Sequence, residues 1–216
     1  MGKDREIVIA QVCHDLRAPL ARIRLAAELL SDSERQLAKG IVQDTEDCHL
    51  IINQLTEFAR SADKSLPVCV SINPLIRDVV SLFQGSEPGQ IETDLDEHIV
   101  AVFVDPIAIR RALSNLITNA FRYGKGWIKL STGISRKRDS IWFCVEDNGP
   151  GIQASQVERL MQPFQRGEEA TSGTGLGLAI VCRVAKQHSG SFSVCNRAEG
   201  GLKARLTIPY TKANDA

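Results

Sequence analysis

The sequence predicts an α-helical hairpin followed by an α/β sandwich. Two observations predict this organisation: apolar residues recur at alternating three- and four-residue steps in the first part of the chain, and helix and strand signals alternate after a polar stretch. A chain of 216 residues, of which 43% are hydrophobic, can bury one sizeable core and a smaller element. We therefore predict a helical domain at 1–62, a linker at 63–67 and an α/β domain at 68–216.

The composition excludes several classes of partner. Lys and Arg total 26 and Asp and Glu total 26, and this balance favours neither a nucleic-acid partner nor electrostatic attachment to a membrane surface. No apolar run approaches the roughly 20 residues that cross a bilayer, and the start of the chain carries no secretory signal. We expect the chain as given to be soluble, with its six single cysteines reduced and placed in the core.

The hairpin consists of two helices with matching apolar seams. The first seam runs from Ile9 to Leu30 and the second from Leu37 to Phe58, on either side of the polar break at 31–34. A lone hairpin leaves most of both seams exposed, whereas two copies can pair into a four-helix bundle. We therefore expect a homodimer through residues of about 5–62; the alternative is a hairpin that folds back on its own chain.

His14 lies one position after the seam residue Cys13, which predicts an imidazole at the flank of the bundle. Asp15 provides a carboxylate that can hold the imidazole N–H and leave the other nitrogen free as a nucleophile. Pro19 removes a backbone N–H and loosens the adjacent turn. A lone helical histidine is usually structural or solvated, but these neighbours favour a reactive one.

The second domain alternates helices and strands. Asn73-Pro74 and Asp105-Pro106 each read as an N-cap followed by proline, which predicts one helix to about Phe83 and another that ends before Gly124. A third helix is expected from about Leu176 to near Gly190. β-Branched and aromatic residues predict strands at 99–104, 127–132, 141–146, 191–195 and 203–208.

Asn115 and Asn119 lie one helical turn apart and share a face. Neutral amide oxygens suit a Mg²⁺ ion that already carries phosphate oxygens and waters. Arg122 and Tyr123 follow where the helix ends, in a position to meet phosphate. Without other motifs, the two asparagines would read as surface residues of an amphipathic helix.

Two glycine-containing loops follow. Asp147 ends a strand beside Gly149 and Gly151, where a carboxylate can accept a hydrogen bond from an exocyclic amine such as that of adenine, although Asp-Asn-Gly is also a commonplace turn. The G-x-G-x-G run at 173–177 precedes a helix, so its N–H groups can approach a polyphosphate; a glycine-rich linker is the alternative. The polar stretch at 166–170 is a candidate lid.

The motifs fall in one order: His14-Asp15-Leu16-Arg17, Asn115 with Asn119, Asp147-Asn148-Gly149-Pro150-Gly151, Pro163-Phe164 and Gly173-Thr174-Gly175-Leu176-Gly177. Together they resemble the catalytic core of the sensor histidine kinases, and the likeness covers nearly the whole chain. Several segments look most like the EnvZ-like osmosensor kinases, namely 14–20, 22–26, 122–124, 126–129 and 172–181. The resemblance implies a dimerisation and histidine-phosphotransfer hairpin followed by an ATP-binding domain of the gyrase, Hsp90, histidine kinase and MutL type.

The resemblance also implies roles for individual residues. His14 is the expected phosphoacceptor, Asp15 the assisting acid/base and Asn119 the Mg²⁺ ligand. Asp147 is expected to hold adenine and Phe164 to anchor the lid. The remaining residues expected around the nucleotide are Asn115, Arg122, Tyr123, Gly149, Gly151, Arg166, Gly173, Thr174, Gly175, Leu176 and Gly177.

The implied activity is ATP-dependent autophosphorylation of His14, followed by transfer to an aspartate of an OmpR-like response regulator. ATP-hydrolysing relatives have a glutamate where this chain has Asn115, which disfavours an ATPase switch. The EnvZ-like pattern has a threonine where this chain has Ala18, which predicts weakened phosphatase activity. A dimeric scaffold gated by nucleotide is the rival hypothesis. The resemblance further implies a cytoplasmic fragment of an inner-membrane protein.

Overall fold

The computed structural model describes residues 16–17, 20–25, 27–28, 34–60, 66–85, 90–99, 101–137, 139–167 and 174–210. The helices with assigned bounds are α1 (Arg35–Arg60), α2 (Ile72–Ser81), α3 (Pro106–Tyr123), α4 (Val157–Leu160) and α5 (Gly177–Gln187), with a short 3₁₀ turn at Ala154–Gln156. The strands are β1 (Val68–Val70), β2 (Gln90–Asp94), β3 (Val102–Val104), β4 (Trp127–Ile134), β5 (Ser140–Asp147), β6 (Ser191–Asn196) and β7 (Leu202–Pro209). His14, Asp15, Ala18 and Gly173 lie outside the described residues, as does much of the predicted linker, so the domain boundaries stay predictions.

The predicted hairpin is confirmed in the part that the structure describes. The described residues between 16 and 28 are helical and run antiparallel to α1. Arg17 Nη2 donates a hydrogen bond to Asn53 Oδ1 at 3.2 Å, while Arg24 lies 3.7 Å from Glu46 Oε1. Because the residue numbers rise on one helix as they fall on the other, the two helices form an antiparallel pair.

Small and β-branched side chains line the inside of the hairpin. Thr45 and Ile52, seven residues apart on α1, are 2% and 3% exposed, and Ala27 of the first helix is equally buried. The seam residues Ile41 and Ile51 are 37% and 42% exposed. The apolar seam of α1 is therefore only partly covered in the single chain, as the heptad spacing predicts.

The α/β domain is built on a five-stranded sheet in the order β2-β4-β5-β7-β6. Strand β2 pairs parallel with β4, and the other neighbours pair antiparallel. Strands β1 and β3 form a separate two-stranded antiparallel sheet. Alternate residues of the large sheet join α2, α3 and α5 in one apolar core, whose fully buried members include Ile109, Leu113, Ile117, Ile128, Leu130, Phe143, Ile180 and Leu206.

Four of the five predicted strands are confirmed, and each extends by one or two residues in total beyond its predicted range. The range 99–104 is a strand only at Val102–Val104. Strands β1 and β2 were not predicted. Strand β2 is an edge strand with four exposed residues, so it lacks the apolar alternation that marks a strand in the sequence.

One predicted helix start is confirmed and one is wrong. Asp105 caps α3, because its Oδ1 accepts hydrogen bonds from the N–H groups of Ile107 and Ala108 at 3.0 and 3.1 Å. Asn73 is not an N-cap, because α2 begins at Ile72 and Asn73 therefore lies inside the helix. The Asn73 amide donates hydrogen bonds to Asp96 O and Glu97 Oε2. The Asn73 side chain, which local propensity assigns to the N-cap, thus forms a tertiary contact with the loop after β2 instead.

The expectation of core cysteines is only partly correct. Cys144 is buried, Cys48 and Cys182 are half-buried, and Cys69 and Cys195 are exposed. Burial raises the pKa of the Cys144 and Cys182 thiols, which favours their protonated form. All five are free thiols, and Cys13 lies outside the described residues. In the part of the chain described, none of the helices has the length and apolarity required to cross a membrane.

Candidate functional site

A cavity of about 640 Å³ lies between α3, α5 and the loops that follow β5 and α4. This volume is in the usual range for small-molecule sites. The cavity brings together predicted residues that are far apart in the sequence. Those that line it are Asn115, Asn119, Arg122, Tyr123, Asp147, Gly151, Arg166, Thr174, Gly175 and Gly177. Gly149, Phe164 and Leu176 are not among the lining residues.

The antiparallel packing of α3 and α5 produces this convergence. Gln187 Nε2 donates to Asp105 Oδ2 at 3.2 Å, and the Asp105 N–H donates to His188 Nε2 at 3.1 Å. These bonds join the C-terminal end of α5 to the N-terminal end of α3. The N-terminus of α5 therefore meets α3 further along, where Gly177 lies against Asn115 and Asn119.

The two asparagines face the start of α5 across a narrow gap. A Cβ atom on Gly177 would lie 3.2 Å from Asn119 Nδ2 and 3.3 Å from Asn115 Oδ1. Asn115 Nδ2 donates to Arg111 O at 2.9 Å, and this bond turns the Asn115 carbonyl oxygen toward Gly177. An arrangement of amide oxygens opposite a helix N-terminus fits a Mg²⁺ ion that also contacts phosphate.

Asp147 is 7% exposed and is held by the main chain around it. Its Oδ1 accepts hydrogen bonds from the N–H groups of Gly149 at 2.8 Å and Leu202 at 3.1 Å. Among the described residues no donor reaches Oδ2, so this oxygen can accept a hydrogen bond from a ligand. Gly201 makes the packing possible, because its φ is +92° and a Cβ there would lie 1.9 Å from Asp147 O.

Gly149 and Leu176 have packing roles in the structure. A Cβ on Gly149 would lie 2.4 Å from Tyr123 O, so the absence of a side chain lets this loop reach the end of α3. Leu176 is fully buried in the core, while its N–H donates to Thr174 Oγ1 at 3.3 Å. Their expected contribution to the cavity is therefore indirect, through the shape of the two loops.

The second glycine loop contacts the residues just before the candidate lid. Gly175 has a φ of +71°, and a Cβ there would lie 2.5 Å from Gln165 O. The Phe164 N–H donates to Gly175 O at 3.1 Å, whereas the Phe164 side chain is 56% exposed. Phe164 thus contacts the glycine loop through its backbone and is not among the residues that line the cavity.

Among the residues that the structure describes, no side chain caps the N-terminus of α5. Gly177 and Leu178, its first two residues, line the cavity. The first N–H groups of a helix lack partners within the helix and carry partial positive charge. The cavity therefore combines a site for an anion, a pair of amide oxygens and a buried carboxylate oxygen.

Comparison with protein families assigns both halves of the chain. Residues 104–212 match the family of histidine kinase-, DNA gyrase B-, and HSP90-like ATPases. Residues 4–64 match the His Kinase A (phospho-acceptor) domain. The chain belongs to the sensor histidine kinases.

The chain also resembles individual proteins and solved structures. The sensor histidine kinase CpxA of Escherichia coli is 30% identical over 223 residues, which cover 98% of this chain and 48% of that protein. The histidine kinase domain of the E. coli osmosensor EnvZ is 40% identical, with a TM-score of 0.54 over 69% of this chain and 92% of that one. Full-length ShkA in complex with AMPPNP shares the fold at 24% identity, with a TM-score of 0.77 over 95% of this chain and 46% of that one.

The chain spans about half the length of the curated relatives it matches. The relatives that match the chain are sensor kinases with several different names, so the comparisons support a sensor histidine kinase with an ATP-binding domain. They do not single out the EnvZ-like kinases, and EnvZ-like specificity stays a prediction. In this kinase the sequence motifs missed several residues at the site, among them a pair at the end of β6. Asn196 lines the cavity and its neighbour Arg197 binds Asp147 O, yet no motif or spacing marks either.

Proposed function

We propose that this kinase binds Mg²⁺-ATP in the cavity, phosphorylates His14 and then passes the phosphoryl group to an aspartate of an OmpR-like response regulator. One observation carries the proposal: the open oxygen of Asp147 and the cluster formed by Asn115, Asn119 and Gly177 line a single cavity. Separate sites for an amine and for a polyphosphate would not select ATP, whereas one cavity that contains both would.

The lining residues suggest one orientation for the nucleotide. Asp147 Oδ2 would accept a hydrogen bond from the exocyclic amine of adenine. The N–H groups at the start of α5 would bind the phosphates, with Arg122 and Arg166 at the edge of the cavity. Asn119 and Asn115 would hold Mg²⁺, which when bound would neutralise charge on the β- and γ-phosphate oxygens.

The proposed chemistry transfers one phosphoryl group twice. An imidazole nitrogen of His14 attacks the γ-phosphorus, the bond to the β-γ bridging oxygen breaks, and ADP leaves. Asp15 would hold the other imidazole N–H and stabilise the positive charge that develops. The carboxylate of the regulator then attacks the same phosphorus, and neutral His14 is released.

Asn115 favours transfer to His14 over transfer to water, because an amide cannot take a proton from water. Asn115→Glu would place a carboxylate at the cavity wall, and we expect ATP hydrolysis to rise about tenfold while protein labelling falls. Phosphate release and protein label are measured in the same reaction. Asn115→Gln is the matched control, since glutamine has the length of glutamate but cannot act as a base. Equal rates of ATP hydrolysis in the two variants would contradict the proposed role of Asn115.

A homodimer through the hairpin would cover the exposed part of the α1 seam. Ile41 and Ile51 remain exposed in the single chain, whereas Leu55 packs against the core of the α/β domain. The C-terminal end of α1 thus packs on its own chain, which is the alternative to a dimer contact at this end of the helix. We propose that the middle of α1 pairs with a second copy, as in a four-helix bundle.

Ala18 predicts a kinase with weak phosphatase activity, because a methyl group cannot orient water. We expect Ala18→Thr to speed loss of phosphate from the phosphorylated regulator by about tenfold, the effect of roughly one hydrogen bond. The measurement is release of phosphate from the labelled regulator after removal of ATP. Ala18→Val has the shape of threonine without the hydroxyl, so a similar acceleration by valine would refute the explanation.

Incubation with γ-labelled ATP and Mg²⁺ separates the proposal from its rivals. The proposal predicts an acid-labile, alkali-stable label on the protein. Nucleotide binding without label would support a nucleotide-gated scaffold, and steady phosphate release without label would support an ATPase switch. By resemblance, we further propose an osmosensing parent protein anchored in the inner membrane, with this part in the cytoplasm.

A further inference from the structure

The end of β6 holds both ends of one loop at the cavity. This loop, residues 147–152, carries Asp147 and is called here the adenine loop. At its start, Arg197 Nη1 donates a hydrogen bond to Asp147 O at 2.7 Å. At its end, Asn196 Oδ1 accepts from the Ile152 N–H at 2.8 Å, and Asn196 Nδ2 donates to Ile152 O at 2.9 Å. Two consecutive residues therefore fix the main chain on both sides of the loop.

Arg197 is itself held in place. Its guanidinium lies over the ring of Trp127, 4.6 Å from the centroid, and its Nη2 donates to Glu199 Oε2 at 2.9 Å. Its Nε lies 3.9 Å from Glu146 Oε1, and the side chain is only 15% exposed. A planar guanidinium can stack on an aromatic ring and donate in several directions at once, which a lysine ammonium cannot do in the same geometry.

Asn196 comes close to the adenine loop because Gly151 has no side chain. Gly151 has a φ of +78°, and a Cβ there would lie 2.6 Å from Asn196 Oδ1. The amide of Asn196 uses both its donor and its acceptor on one residue of the loop. This pairing resembles a ladder bond between strands and fixes the loop at the point where it lines the cavity.

We infer that Asn196 and Arg197 are positioning residues for adenine recognition. They hold the main chain at both ends of the adenine loop, and this main chain determines where Asp147 Oδ2 points. A recognition group must be held within about 0.5 Å of its productive position to discriminate between ligands. The inference rests on the proposed function, in which Asp147 binds the exocyclic amine of adenine.

The test compares ATP and GTP, because guanine presents a carbonyl oxygen where adenine presents an amine. We expect Arg197→Met to lower the affinity for ATP about tenfold and to change the affinity for GTP little, so that selectivity falls. Asn196→Ala should act in the same direction, and Arg197→Lys should recover part of the selectivity. Affinities are measured by calorimetric titration of the whole chain, and thermal melts check folding.

Arg205→Met provides a matched control on the outer face of the sheet. Arg205 lies over Trp142, 4.5 Å from the ring centroid, and does not line the cavity. Arg205→Met deletes a stack of arginine on tryptophan that is similar to that of Arg197 on Trp127. It should leave the selectivity for ATP over GTP unchanged. Unchanged selectivity in folded Arg197→Met and Asn196→Ala would overturn the inference, as would an equal loss for both nucleotides. Failure of the unmodified chain to bind either nucleotide would instead overturn the proposed function, and this inference with it.

Discussion

We expect His14→Gln to abolish labelling of the protein by γ-labelled ATP and to leave the ATP affinity unchanged. Glutamine keeps a polar side chain of similar reach but has no nucleophilic nitrogen, so the γ-phosphoryl group has no acceptor. Among the residues described, those that line the cavity all belong to the predicted α/β domain, and none belongs to the hairpin. Labelling should fall to background, and calorimetric titration measures whether the affinity is retained.

His98→Gln is a matched control for that experiment. His98 Nδ1 lies 2.8 Å from Asp96 Oδ1, and the His98 side chain is 91% exposed. This residue therefore pairs an accessible imidazole with a carboxylate, which is the arrangement proposed for His14 and Asp15. The His98 backbone N–H lowers the pKa of Asp96 and keeps that carboxylate ionised. Labelling should persist in this variant. A label that survives in His14→Gln, or one that is stable to acid, would contradict His14 as the acceptor.

We expect Asp147→Asn to lower the affinity for ATP by about 10- to 100-fold without unfolding the domain. The asparagine carbonyl can still accept from Gly149 and Leu202, but an NH₂ group replaces Oδ2 and faces the adenine amine donor to donor. A hydrogen bond to a charged group contributes roughly 1.5–3 kcal/mol, which sets the size of the loss. Calorimetric titration gives the affinity, and a thermal melt reports the fold.

Two further variants sharpen this result. Asp94→Asn alters another carboxylate at the end of a strand, one that pairs with Lys129 at 2.9 Å outside the cavity, and it should bind ATP normally. Asp147→Ala also removes the acceptor for Gly149 and Leu202, so it should lower the melting temperature as well as the affinity. ATP binding by Asp147→Asn at unchanged affinity would refute adenine recognition by this carboxylate.

Elements with strong local signals were predictable from the sequence. Strand β5 alternates buried Ile141, Phe143 and Val145 with residues on the other face, and its period of two is readable without any tertiary contact. The cap of α3 needs only Asp105 and the residues that follow it. Strand β2 was missed for the opposite reason: it is a polar edge strand defined by its pairing with β4.

The sequence by itself determined the candidate chemistry of this kinase. The residue types and their order are set by the chain, and a carboxylate before a glycine turn or two amides one turn apart keep their chemistry in any fold. From them the hairpin, the α/β class and ten of the residues that line the cavity could be predicted. Periodic burial also follows from local spacing, because helices and strands repeat at fixed intervals.

Only the tertiary structure decided how these groups meet. Gly177 faces Asn115 because α5 packs antiparallel on α3, and Leu176 turns into the core rather than into the cavity. The bonds of Asn196 and Arg197 to the adenine loop join residues 44 and 50 positions apart. Contacts of this kind depend on how the strands of one sheet are ordered and paired, and local sequence patterns do not report strand order.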